Sequence, residues 1–263
     1  MDQRKARQTN PIDRGRRRAG RTQAKNPDSD RVLLYGYHAV EAALANEKRP
    51  VYGIQATENA ARKLALLIAK RGLELERVLP KALDRQLGAD TVHQGVLLDA
   101  GQLESPRLED LDLTGTILGL DQVTDPHNVG AVLRSAAAFG ARGLVMTRRH
   151  SPPLGGVLAK AASGALDLIP IVLVRNLAES LAELADLGVA RLGLAEEAGS
   201  ALEDVKLKRP LALVLGAEGR GLRQLTRERC DVLCRISTAS ELASLNVSNA
   251  AAIALHWARV RAA

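Results

Sequence analysis

Strand-length apolar runs recur along the chain, and their spacing divides it in two. In the first part VLLYG (32–36), VYGIQAT (51–57) and GVLLDA (95–100) have the length and composition of strands. Between them HAVEAALAN (38–46) and NAARKLALLIAKRG (59–72) repeat apolar residues at helical spacing. The pattern predicts a small α/β unit over residues 32–102. Residues 103–115, LESPRLEDLDLTG, are polar, contain Pro106 and lack apolar periodicity, which predicts a linker.

A second unit is predicted over residues 116–263. There TILGLD (116–121), GLVMT (143–147), LIPIVLV (168–174), VARLGLA (189–195), LALVLG (211–216) and DVLCRIS (231–237) alternate with helical patterns. Several of these runs are apolar throughout, as strands covered on both faces are, so the expected architecture is a parallel α/β sheet. Ligands of such sheets gather outside the carboxyl ends of the strands, which makes the loops there the place to look for chemistry.

Charge changes the picture at one end only. Residues 1–31 carry ten Lys/Arg against four Asp/Glu, nearly all of the formal +7, and have almost no large apolar side chains. Such a segment cannot offset its ordering entropy, so a disordered basic tail is expected, either a solvated extension or an arm that attracts RNA phosphates. No apolar run approaches the ~20 residues that cross a bilayer, so no membrane span is expected. Cys230 and Cys234 have neither a second pair nor a nearby His and read as packed thiols of a cytoplasmic protein. Aromatic residues are 2% of the chain, which argues against a base-stacking platform and leaves Arg, Lys and backbone to hold any RNA.

Three loops in the second unit carry candidate chemistry. After TILGLD comes QVTDPHN, with Asn128 as expected helix N-cap, Gly140 as helix stop, and Val129, Val132, Leu133 and Ala136 as the buried stripe. Arg134 lies off that stripe, either solvated or reaching an anion near the helix start. His127 is a local base candidate, although a lone His beside Pro in a turn is more often solvated. After LALVLG comes GAEGRGL (216–222), whose glycines allow close backbone approach while Glu218 places a carboxylate among them. Its spacing matches neither common phosphate-binding fingerprint, and a plain tight turn is the alternative. After DVLCRIS comes a Ser-rich connection in which Ser244, Asn246, Ser248 and Asn249 crowd one helix entrance, more polar groups than a cap needs.

Together, Asp-Pro-His-Asn-Val-Gly with Arg134, LALVLGAEGRGL, and ISTASELASLNVSNAAAIAL resemble the three motifs of the SpoU (TrmH-like) RNA ribose 2'-O-methyltransferases, in order. LLYGYHAVEAAL and VHQGV resemble the small substrate-binding domain of the two-domain rRNA enzymes of that family. The resemblance implies a C-terminal SPOUT-type domain with a deep trefoil knot, S-adenosyl-L-methionine as cofactor, a homodimer, and a guanosine of large-subunit ribosomal RNA as target. It places cofactor contacts on Leu215, Gly216, Gly219, Ile236, Ser237, Leu245 and Asn246. It makes Arg134, Asn128, Glu218, Ser244 and Asn246 the candidates for the reaction, with Asn128 and Arg134 at the target ribose. Glu218 could pair with Arg134 or help hold Asn128. Ser240-Glu241 departs from the family pattern of a Gly followed by a small apolar residue. Alternatives are a transfer-RNA target, a non-catalytic RNA-binding or ribosome-assembly module, and a nucleotide-binding enzyme using GAEGRG.

Overall fold

A computed structural model describes residues 30–239 and 245–261. Residues 1–29 of the expected basic tail, Ser240-Glu241 and Ser244 lie outside the described residues, and the tail's expected last residue, Arg31, instead opens the first strand, where it pairs with Gly101. The first unit comprises β1 (Arg31–Tyr35), α1 (Tyr37–Ala45), β2 (Val51–Ala56), α2 (Glu58–Lys70), β3 (Leu75–Arg77), α3 (Pro80–Leu87) and β4 (Val96–Gly101). Its strands make a four-stranded sheet in the order β1-β4-β2-β3. The strand β3 and helix α3 were not expected from sequence: β3 has three residues, and Leu83 is the only buried residue of α3, too little for a periodic signal.

Residues 103–115 are not featureless. Leu108–Asp110 forms a 3-10 turn, Leu108 and Leu111 are buried, and the Ser105 hydroxyl accepts the Leu173 backbone N–H at 2.8 Å. The segment is stitched onto the second unit. That unit comprises β5 (Thr116–Asp121), α4 (Pro126–Phe139), β6 (Gly143–Thr147), α5 (Gly156–Ala162), β7 (Ile171–Val174), α6 (Leu177–Asp186), β8 (Ala190–Leu194), the two-residue β9 (Ser200–Ala201), β10 (Leu211–Gly216), α7 (Gln224–Glu228), β11 (Val232–Arg235) and α8 (Val247–Arg261). The seven strands are all parallel, in the order β7-β6-β5-β10-β8-β11-β9. The central strands β5 and β6 are buried at every position, as their unbroken apolar sequence requires. Pro170 shortens the run LIPIVLV: its carbonyl accepts from Leu144, the strand starts one residue later, and Leu168 is left exposed.

Helix α4 ends as expected, with Gly140 in the left-handed region at φ 71, and buries Val129, Val132, Leu133 and Ala136. Its start differs. Asp125, not Asn128, is the N-cap: its carboxylate accepts the His127 N–H at 2.9 Å, and Pro126 occupies the first turn, where no donor is needed. Asn128 is thereby freed for other partners. Gly130 is required by packing, since a Cβ there would meet the Ala162 backbone N at 2.8 Å, where α5 crosses α4.

The two units are docked. Arg49, two residues before β2, reaches Asp167 with Nη1 at 2.7 Å, and the two side chains are 0% and 2% exposed. Asn46 donates to the same carboxylate at 3.0 Å, and Arg49 Nε donates to the Gly101 carbonyl at 3.0 Å. Gly164 passes so close to α1 that a Cβ would stand 3.1 Å from Ala42 and from the His38 carbonyl. Lys160 of α5 donates to Gln94 at 2.6 Å, and burial pulls its pKa down.

Removing Asp167 would strand a buried guanidinium. Asp167→Ala should therefore cost about 3–5 kcal/mol in denaturant unfolding, whereas the joint change Arg49→Met with Asp167→Leu should recover most of that loss. A cost no larger than that of an exposed ion pair would show that the contact does not hold the units together. The thiols offer a second check, because burial pushes Cys230 and Cys234 up to about 12. The thiolate is the nucleophile, so both should resist alkylation at pH 8 in the native protein, gain rate about tenfold per pH unit up to the pKa, and react at once on unfolding. Rapid labelling at pH 8 without unfolding would contradict the packing.

Candidate functional site

The loops after β5, β10 and β11 leave the same end of the sheet, because β5 pairs in parallel with β10 and β8 lies between β10 and β11. There Glu218 Oε1 accepts from Asn128 Nδ2 at 3.1 Å, Asn246 Nδ2 at 2.6 Å and the Val247 N–H at 3.4 Å. Asn246 Nδ2 also donates to Asn128 Oδ1 at 2.9 Å. With the amide nitrogen committed in this way, the Asn246 carbonyl oxygen caps α8, accepting from the Ser248 N–H at 2.9 Å and its hydroxyl at 2.5 Å. One residue from each loop thus enters a single network.

The loop after β10 is both a tight turn and a close approach. Gly219 and Gly221 have φ 76 and 63, and the Gly221 N–H donates to the Ala217 carbonyl at 2.8 Å. A Cβ on Gly216 would run into the backbone of Gly221 and Leu222, so no side chain is tolerated there. The loop's exit is tied to β5 by Arg223, whose backbone N–H and Nε meet the two oxygens of the buried Asp121 carboxylate at 2.9 and 2.7 Å. Sequence reasoning missed this pair: Asp121 reads simply as the polar end of a strand.

Beside the network lies a cavity of about 520 Å³, within the ~300–1,000 Å³ usual for small-molecule sites. Leu215, Gly216, Glu218, Gly219, Ile236, Ser237 and Leu245 all line it, whereas Asn246, also expected at the cofactor, does not and has its side chain in the network instead. The structure adds a wall that the sequence did not single out, the end of β8 with Leu194, Glu196 and Glu197. The signal was present in VARLGLAEE, an apolar strand closed by two carboxylates. Arg227 and Arg235 complete the wall, Arg227 paired with Glu197 and Arg235 donating to the Ala198 and Gly199 carbonyls at 2.8 and 2.6 Å. Leucine faces, glycine backbone and charges of both signs fit a zwitterionic nucleoside better than a triphosphate, which Glu196, Glu197 and Glu218 would repel.

Arg134 stands about 9 Å further along α4 than Asn128 at 1.5 Å per residue. It is exposed, and its side chain makes no hydrogen bond or ion pair among the described residues. Glu218 therefore holds Asn128 and does not pair with Arg134. Helical side chains lean toward the N-terminus, but six residues also turn Arg134 about 120° around α4 from Asn128, so the two stand on different faces of the helix. His127 is exposed, and only its backbone N–H is engaged. No group of His, Cys, Asp and Glu suited to a metal occurs among the described residues, nor does a helix long and apolar enough to cross a membrane.

Comparison with known proteins agrees with this arrangement. Residues 115–256 match the SpoU rRNA Methylase family and residues 33–106 match a domain described as RNA 2'-O ribose methyltransferase substrate binding. The chain is 38% identical over 236 residues to a 23S rRNA (guanosine-2'-O-)-methyltransferase RlmB of Vibrio parahaemolyticus, covering 85% of this chain and 94% of that protein. It is 40% identical over 234 residues to its counterpart in Xylella fastidiosa, covering 84% and 93%. Its fold is that of an AdoMet-bound rRNA methyltransferase from Sinorhizobium meliloti, with a TM-score of 0.75 at 24% identity over 89% and 88% of the two chains. With the family's domain matched over more than half its length and relatives near 40% identity along most of it, the chain belongs to the SpoU rRNA methylase family.

Proposed function

We propose that this protein methylates the ribose 2'-oxygen of a guanosine in 23S ribosomal RNA, with S-adenosyl-L-methionine as methyl donor. The observation that carries the reading is the meeting of Asn128, Glu218 and Asn246 at the lip of a cavity whose walls suit that cofactor. Relatives named for this activity span nearly the whole chain, including the substrate-binding unit, which favours ribosomal over transfer RNA.

Leu215, Gly216, Gly219, Ile236, Ser237 and Leu245 would hold the cofactor, largely through backbone and apolar contact, because a backbone turned inward by Gly216 offers hydrogen bonds that no side chain blocks. The bound cofactor supplies an electrophilic methyl group on a sulfonium. The chain's own task is to hold the attacking hydroxyl in line with it, and such positioning can be worth on the order of 7–11 kcal/mol at its upper end. Asn128 and Asn246, fixed by Glu218, orient the ribose. Arg134, with no partner among the described residues, clamps the adjacent phosphate and steadies the alkoxide character that develops as the 2'-hydroxyl loses its proton. A guanidinium with pKa above ~12 is a poor base, so the proton leaves to solvent or phosphate. Ser244 joins this assignment on the motif alone, being outside the described residues.

A trefoil knot, a homodimer and a cytoplasmic location belong to the same proposal. The insertion of β10 between β5 and the earlier β8 is compatible with a threaded chain. Ile253 and Val260, exposed on α8, are candidates for burial between protomers, which light scattering would register as a doubled mass.

Mapping 2'-O-methylation across ribosomal and transfer RNA, with and without the protein, should add a mark at one 23S guanosine. Marks confined to transfer RNA would move the target. Arg134→Ala should cut turnover at least a hundredfold with cofactor affinity nearly unchanged, Arg134→Lys should recover little, and His127→Ala should cost under about tenfold. The reverse ranking would give the central role to the histidine. Glu218→Gln, which keeps a carbonyl acceptor, should retain more turnover than Glu218→Ala, and equal losses would mean that the carboxylate does more than hold the two asparagines.

A further inference from the structure

The site above uses the ends of β5, β8, β10 and β11, and leaves the other half of the same sheet edge unexplained. Strand β6 is followed there by Arg148-Arg149-His150 and β7 by Arg175, all exposed. Several exposed arginines elsewhere in this protein are paired with a nearby carboxylate: Arg77 with Glu58, Arg107 with Glu109 and Asp110, Arg142 with Asp112. The side chains of Arg148, Arg149 and Arg175 have no ion pair or hydrogen bond among the described residues. They are nonetheless placed by the backbone. The Arg148 N–H donates to the Val174 carbonyl at 2.8 Å, extending the β6–β7 ladder by one step, and the Thr147 hydroxyl donates to the Arg149 carbonyl. His150 at φ 62 turns the chain away. Arg175 opens on a cavity of about 640 Å³ in which Glu179 is the single acidic side chain.

The position of this row gives it meaning. Residues 148–155 run directly into α5, and α5 is the element docked on the substrate-binding unit: a Cβ on Gly155 would stand 3.6 Å from Val32, and one on Gly156 3.0 Å from Tyr35. On the other side β6 is hydrogen-bonded to β5, whose loop carries Asn128. Arg148 and Arg149 thus stand at the end of β6, before α5 in the chain and beside β5 in the sheet, with Arg175 next to them at the end of β7. Uncompensated cations held in a line repel one another, and a polyanion laid across them removes that cost.

We propose that Arg148, Arg149 and Arg175 form a track for the phosphate backbone of the RNA strand flanking the target nucleotide, carrying it from the substrate-binding unit to the Asn128 loop. The track positions and does not read sequence, since phosphate contacts carry no base information. It rests on the RNA methylation proposed above, but its test is one of binding.

Unmodified 23S rRNA transcript would be titrated with the full chain from roughly 50 to 200 mM salt, where each phosphate contact contributes roughly 0.7–0.9 to the slope of log K against log salt. Joint replacement of Arg148, Arg149 and Arg175 by Ala should lower that slope by about 2 and raise the Kd more than tenfold at low salt, with melting temperature and S-adenosyl-L-methionine affinity unchanged. Replacing the same three by Lys should keep the slope. Lys206, Lys208 and Arg229, exposed cations in the segments that lead into β10 and β11, serve as the control. An unchanged slope in the first variant, or an equal fall in the control, overturns the track. Failure of methylation with an intact salt slope would count against the function proposed above and leave the track's own prediction separately decided.

Discussion

One carboxylate oxygen joins the three loops of the site. Glu218 Oε1 receives hydrogen bonds from residues 90 positions earlier and 28 positions later in the chain, Asn128 and Asn246. The first turn of α4, the glycine turn after β10 and the entrance of α8 are each short polar segments with little apolar burial of their own. What gives them one arrangement is that the sheet delivers them to the same place and an ionised acceptor then takes three donors at once. A carboxylate suits this, because hydrogen bonds to a charged acceptor are roughly twice as strong as neutral ones and both amide side chains can present an N–H to the same oxygen.

Six of the seven strands of the larger sheet were legible in the sequence because an unbroken apolar run of strand length is at home only where both faces are covered, whereas the two-residue β9 is too short to leave such a signal. The loops that gather residues at one edge were legible for the same reason: in a parallel sheet every strand points the same way. What stayed hidden was decided by partners distant in the chain. Asn128 has the composition of a cap, but Asp125 stands three residues earlier beside Pro126 and takes that role, and nothing local says that Asn128 faces Glu218 instead. The choice left open for Glu218, between Arg134 and Asn128, was of the same kind. Asp121 with Arg223 and Asp167 with Arg49 are pairs across 102 and 118 positions, invisible to any window of periodicity. The motif resemblance reached further than the physics of the loops alone, which could not separate a tight turn from a ligand cradle at GAEGRGL.

Charge is distributed over the described residues by function. The buried pair Arg49–Asp167 and the exposed Arg223 on its buried Asp121 are structural, fixing one unit on the other and one loop on one strand. The cavity carries both signs, as a zwitterionic ligand requires. Along the ends of β6 and β7, by contrast, three arginines stand with no carboxylate engaged among the described residues, so that edge presents an excess of positive charge to whatever approaches it.

The buried Arg49–Asp167 contact also determines who must deform when enzyme and RNA meet. If separation of the units costs several kcal/mol, an undocked arrangement is populated in well under one molecule in a hundred. The gap between the substrate-binding unit and the transfer loop then behaves as a calliper set to one width. An RNA segment whose fold already presents its target at that width binds without penalty, whereas one that must be bent or unstacked to reach meets the cost itself. Selection among the many guanosines of a ribosomal RNA can in this way be made by length and curvature, before any base is read.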